Sequence, residues 1–134
     1  MVMKSKAGKI FGGFTRQAWE SLAGQLKEDE KAFIFSLDLH KVYRVAAPSK
    51  AVYCHQGWGP SFGGYAMALT ADPLNTPNGG RAQANNFKDG VRFNIKLDSE
   101  GNHEATGEGK EQEDDGKKFT CDEIEVFQLQ FYSQ

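Results

Sequence analysis

The stretch GWGPSFGGY, residues 57–65, decides which fold the chain can have. Its Gly59, Pro60, Ser61, Phe62 and Gly63 fit G-x-S-x-G, the pattern that holds a nucleophilic serine on a strained strand-to-helix turn in many hydrolases. Such an elbow needs a strand before the serine and a helix after it, with backbone N–H groups facing the oxyanion. Here Gly57, Gly59 and Pro60 crowd the approach, and the run that follows is stopped by Pro73. A Ser61, Asp72, His103 order exists, but His103 falls in an acidic stretch, a poor place to hold an imidazole within hydrogen-bond reach. The sequence therefore predicts a glycine turn rather than an elbow. Gly59, Pro60, Phe62, Gly63 and Gly64 are then structural residues where backbones approach closely, with Trp58, Phe62 and Tyr65 plugging the sheet.

On the N-terminal side, VMKSKAGKIFGGF (2–14) puts apolar residues on both sides of Lys-Ala-Gly-Lys. It predicts a hairpin with Gly8 at positive φ and Gly12 and Gly13 in the second strand. The first strand is only about four residues long, so the chain is expected to start in the middle of a sheet. Thr15 is a fair N-cap for a short amphipathic helix over Arg16–Lys27, whose Ala18, Trp19, Leu22, Ala23 and Leu26 stripe puts Trp19 in the core. A charged turn over 27–31 leads into AFIFSLDL (32–39), a continuous apolar run expected to be a buried central strand. KVYRVA (41–46) and AVYCH (51–55) follow as strands, with Pro48-Ser49 as the turn between them. Tyr65–Thr70 reads as a strand and 72–86 as a loop. VRFNIKL (91–97) alternates like a half-buried strand with Val91, Phe93, Ile95 and Leu97 inward. The acidic stretch is a solvated loop, and KFTCDEIEVFQLQFY (118–132) closes the chain as a long strand with Ile124, Val126 or Phe127, and Leu129 facing inward. The sum is about eight strands and one clear helix, a mainly β (α+β) domain built as a two-sheet antiparallel β-sandwich.

Size and composition agree with one soluble domain. A chain of 134 residues with 39% apolar residues and ten Phe is too hydrophobic for disorder and too short for an ordinary α/β hydrolase. The net charge of −2 conceals an asymmetry. Between Asp98 and Gly116 lie eight carboxylates and one lysine, leaving the rest of the chain with an excess of basic residues. No basic run interleaved with aromatics argues for nucleic acid, and no apolar run reaches the roughly twenty residues that span a bilayer. The N-terminus has no signal-peptide core, and Cys54 and Cys121 sit in strand-like runs as buried free thiols. A reducing, cytoplasmic location is expected.

Four groups of residues could carry chemistry. Ser61 is a formal nucleophile. Glu123 and Glu125 alternate with apolar neighbours on the last strand, so both share one face, with Cys121 on the same parity; paired carboxylates can do acid–base work, although such a face is more often simply wet. The acidic segment, with Asp98, Glu100, Glu111, Glu113, Asp114 and Asp115, breaks the EF-hand spacing. It reads as a solvated loop, with docking of a basic partner as its next use. His40, His55 and His103 have no zinc-ligand spacing, so no metal and no cofactor are expected.

In order, K-S-K-A-G-K-I-F-G-G-F-T, the Trp19 segment, A-F-I-F-S-L, A-V-Y-C, G-P-S-F-G-G and D-E-I-E-V-F-Q-L resemble the TLDc domain over residues 2–130. This is the module of the oxidation-resistance proteins and of many other eukaryotic proteins. The resemblance implies a two-sheet β-sandwich with one or two flanking helices and a link to protection from oxidative damage. It also implies protein partners, among them subunits of the vacuolar proton-pumping ATPase. Glu123 and Glu125 match the family's E-I-E motif and carry over as functional candidates. Family domains usually have a further segment upstream of the hairpin, so the domain over 1–134 is expected to lack it and to leave an open sheet edge for a partner. The function expected is that of a non-enzymatic interaction module. An enzyme of oxidative-stress defence or a structural subunit of a large assembly are the alternatives.

Overall fold

The computed structural model describes residues 1–19, 23–70, 74–75, 80–83, 89–107, 112–113 and 116–127. Twelve strands run through these residues. β1 (Val2–Ser5), β2 (Ile10–Phe14), β3 (Ala23–Lys27), β4 (Phe33–Ser36), β5 (Lys41–Arg44) and β6 (Val52–His55) come first. β7 (Trp58–Phe62), β8 (Met67–Thr70), β9 (Gly80–Ala82), β10 (Gln112–Glu113), β11 (Gly116–Phe119) and β12 (Cys121–Glu125) complete them. They form two sheets, a five-stranded one in the order β12-β1-β2-β4-β5 and a seven-stranded one in the order β10-β11-β9-β8-β7-β6-β3.

The first hairpin forms as its sequence dictates, with Gly8 at φ 84° between β1 and β2. Residues 57–65 are the expected turn only in part: Trp58–Phe62 form β7, and the turn itself begins at Gly63. β7 and β8 pair antiparallel through Phe62 and Met67, and the connection runs through Gly63 and Gly64, both at positive φ. A β-bulge between Trp58 and Ser61 absorbs Pro60, which cannot donate to the ladder. A side chain at Gly59 would meet the Thr70 carbonyl at 2.8 Å, so glycine is required there by close backbone approach.

One core lies between the sheets. Met3, Phe11, Ile34 and Tyr43 enter it from the five-stranded sheet, and Val52, Phe62, Met67, Leu69 and Phe119 from the other. The sheets meet through Phe11 and Phe119, edge to face at 5.4 Å, and through Gly13, whose missing side chain leaves room for the Phe62 ring.

Several expectations are corrected. Among the described residues the only helical turns are the 3₁₀ turns Pro48–Lys50 and Gly90–Arg92, so the flanking helices are not borne out. The expected helix over Arg16–Lys27 is instead a loop leading to β3, with 20–22 outside the described residues. Thr15 does not cap a helix; its hydroxyl donates to the Asp29 carboxylate at 2.7 Å. Gly24, at φ 112°, sits in an irregularity of the β3–β6 pairing. Trp19 does pack against the core, edge to face with Phe62, and its indole N–H donates to the Ser61 carbonyl. In 91–97 the strand alternation fails. Asn94 has φ 53°, Val91 is exposed, and Arg92 is buried because its guanidinium donates to the Gly63 carbonyl and pairs with Asp89. The 72–86 loop contains β9, and the strand expected from Tyr65 starts at Met67. The single closing strand is two: β11 belongs to the larger sheet and β12 to the smaller, with Thr120 between. Val126 and Phe127 are exposed, and Leu129 lies outside the described residues.

β1 is no open edge either, for β2 and β12 flank it, and among the described residues the edges of the five-stranded sheet are β12 and β5.

Asp29, read as part of a charged surface turn, is 2% exposed. Burial alone would raise its pKa. Hydrogen bonds from the Thr15 hydroxyl, the Arg16 and Lys31 N–H groups and the Arg16 guanidinium outweigh that and lower it. A folded pKa below the unfolded value gives stability that is present above the unfolded carboxylate pKa, about 3.9, and is lost as pH falls through the folded value. Asp29→Asn is therefore expected to lower urea stability at pH 7 by about 1–3 kcal/mol. The gap between variant and parent should shrink in unfolding curves below about pH 4.

Candidate functional site

Ser61 is placed where it cannot be reached. It is 1% exposed, its hydroxyl donates to the Gly59 carbonyl two residues back at 3.3 Å, and strands rather than a helix flank it. His103 is fully buried, with its Nδ1 accepting the Thr106 N–H, and Asp72 lies outside the described residues.

The shared parity of Glu123, Glu125 and Cys121 is broken by a β-bulge. Lys4 pairs with Glu123 but Ser5 with Cys121, which turns the thiol into the core while both carboxylates point outward and are exposed. Burial, helped by the Asp122 charge, pushes the Cys121 thiol up to about 11. A thiol so protonated is a weak nucleophile, and Cys54 is equally buried. Alkylation of the native protein by iodoacetamide at pH 8 is expected to leave both cysteines unmodified over a time that labels a free thiol completely. Unfolding in urea should expose both.

The acidic segment is less solvated than its composition suggests. Asp98 accepts the N–H groups of Glu100 and Asn102 and so closes a turn, while Ala105 and Thr106 are buried. Glu104 accepts a 2.6 Å hydrogen bond from the Tyr43 hydroxyl and pairs with Lys41 at 3.3 Å, tying the segment to β5. Burial, then Glu104, raises the Tyr43 pKa, so the phenol stays protonated and donates. Glu113 lies on β10; Glu111, Asp114 and Asp115 lie outside the described residues. The described residues hold no group of three potential metal ligands.

A different surface is assembled by the register of the five-stranded sheet. Glu125, Val2, Gly12, Phe35 and Val42 are successive neighbours across all five strands, and Phe14, Phe33 and Arg44 form the next row. These alternate with the buried Met3, Phe11, Ile34 and Tyr43, so they stand on the face turned away from the core. The rings of Phe14 and Phe33 stack at 5.3 Å, and Phe33 lies 6.4 Å from Phe35. Val42 is 54% exposed and Leu37 53%. A cavity of about 730 Å³ is lined by Val2, Phe14 and Phe33 of this face together with Trp19, Val126 and Phe127. The apolar run 32–39 carried the signal for this surface. Apolar residues on both parities were read as burial on both faces, whereas among the described residues only one face has a second layer.

A family model for the TLDc domain matches residues 1–130. The chain belongs to the TLDc domain family. Comparison with curated proteins and with solved structures yields no match. The TLDc family is one related to oxidative stress. In this TLDc chain the glycine signature is the β7–β8 hairpin, and the E-I-E motif is the edge strand β12, with Glu123 and Glu125 exposed and Ile124 half-buried. Among the described residues no helix is long and apolar enough to cross a membrane.

Proposed function

We propose that this TLDc domain is a non-enzymatic protein-interaction module, acting in oxidative-stress protection within a larger cytoplasmic assembly. The observation that carries this reading is the outer face of the five-stranded sheet. There Val2, Phe14, Phe33, Phe35 and Val42 form a contiguous apolar surface of the kind that marks protein-binding sites on soluble domains. The candidate nucleophiles support it from the other side, because Ser61 and Cys121 are buried in the core. Resemblance to the family makes subunits of the vacuolar proton-pumping ATPase the first partners to look for.

The test is affinity purification of the tagged chain from the cells that express it, with and without oxidant, beside a Val42→Lys variant. The expected result is one stoichiometric set of partners, proton-pump subunits among them, retained by the parent and lost from the variant. A parent chain that returns alone under both conditions contradicts the reading and turns attention to Glu123 and Glu125 as acid–base groups.

A further inference from the structure

The outer face of the five-stranded sheet is charged unequally at its two edges. On β12, Glu123 and Glu125 point outward and are exposed; on β5, Arg44 points outward and is exposed. Between these margins stand Val2, Ile10, Phe14, Phe33, Phe35 and Val42, interrupted by Lys4, which sits opposite Glu123 and offsets it in part. Glu125, whose cross-strand neighbour is Val2, is the carboxylate left for a partner to answer.

We infer that a second copy of this chain covers the face, related by a two-fold axis parallel to the strands. The inference rests on reading this face as the protein-binding surface and names its occupant. Two kinds of two-fold axis stack a sheet face on itself. An axis across the strands lays β12 over the partner's β12 and sets the acidic edge of one copy, Glu123 and Glu125, along that of the other, which is repulsive. An axis along the strands lays β12 over the partner's β5, which brings Glu125 to within one outward row of the partner's Arg44 and the phenylalanines over each other. The pairing is isologous, so the charge match is made twice. Five strands spaced ~4.8 Å apart and a few outward rows give a footprint of roughly 300–400 Å². That is less than half of the ~800 Å² each partner contributes to a standard interface, so the dimer is weak and concentration-dependent.

Sedimentation equilibrium of the purified chain, from low micromolar to millimolar concentration, tests this. A monomer–dimer equilibrium that weakens at high salt is expected. Arg44→Glu, and separately Glu123→Lys with Glu125→Lys, should each be monomeric, and an equimolar mixture of the two should pair again. Val42→Lys, at an exposed site, should abolish the dimer with an unchanged melting temperature. A chain that stays monomeric throughout, a dimer indifferent to both charge reversals, or a mixture that fails to pair overturns the inference. If the chain is monomeric but Val42→Lys still loses its captured partners, this inference falls and the docking surface stands. If neither dimer nor face-dependent capture is seen, both fall.

Discussion

Gly13→Val is expected to cost about 3 kcal/mol or more, a large part of the roughly 5–15 kcal/mol that holds a domain folded. Gly13 is buried on β2, and a Cβ there would sit 2.5 Å from Cζ of Phe62. The ring cannot simply retreat. It is fully buried, with Trp19 against it at 5.3 Å and Phe93 at 6.1 Å, both edge to face. Relieving the clash therefore means parting the two sheets at their contact or driving three aromatic side chains off their rotamers. Overpacking of this sort typically costs 1–3 kcal/mol and more where neighbours are rigid. Urea unfolding followed by circular dichroism measures it, and a midpoint equal to the parent's contradicts the packing described. Gly63→Val should also destabilise, for a different reason, since Gly63 has φ 61° and a Cβ would stand 3.1 Å from Phe93.

Asp89→Ala is expected to lose about 3–5 kcal/mol, because it leaves a buried guanidinium without its counter-charge. Arg92 is 9% exposed, lies 3.3 Å from Asp89 and donates to the Gly63 carbonyl at 3.0 Å. The other Asp89 oxygen accepts the Tyr65 N–H, and the Asp89 N–H donates to Gln83. Three separate stretches of chain, 63–65, 83 and 89–92, therefore meet at this pair, which fixes the glycine turn between β7 and β8. If the orphaned charge is the cause, adding Arg92→Met to Asp89→Ala should restore part of the loss, and a double variant no more stable than the single one argues that the hydrogen bonds to the turn carry the cost.

The hairpin at Gly8 and the turn at Gly63 and Gly64 were legible because each depends on a local backbone requirement that glycine announces. The segments that misled were those where a distant residue overrides a local pattern. The stripe over Arg16–Lys27 has helical spacing, yet Asp29 draws Thr15 and Arg16 into a loop and β6 takes 23–27 as a strand. Arg92 faces inward on what the alternation made the outer side because the half-buried Asp89 and the Gly63 carbonyl hold its guanidinium there. Cys121 and Glu123 part company through one bulge, which no periodicity foretells. At the candidate site the sequence singled out Glu123 and Glu125 through the family motif and missed the phenylalanines of β2 and β4 on the same face. Phe33 and Phe35 look like core in any apolar run, and only the layer order shows that their side of the sheet has no second layer among the described residues.

Site-specific photo-crosslinking in the cells that express the chain tests the central claim most directly, that the outer face of the five-stranded sheet is where this TLDc domain meets other proteins. A photoreactive residue at Val42, exposed on that face, is compared with one at Lys50, exposed in the 3₁₀ turn that contacts β3 of the other sheet. The account predicts a discrete crosslinked product from position 42 and none from position 50. Equal crosslinking from both positions, or a product from position 50 alone, contradicts it.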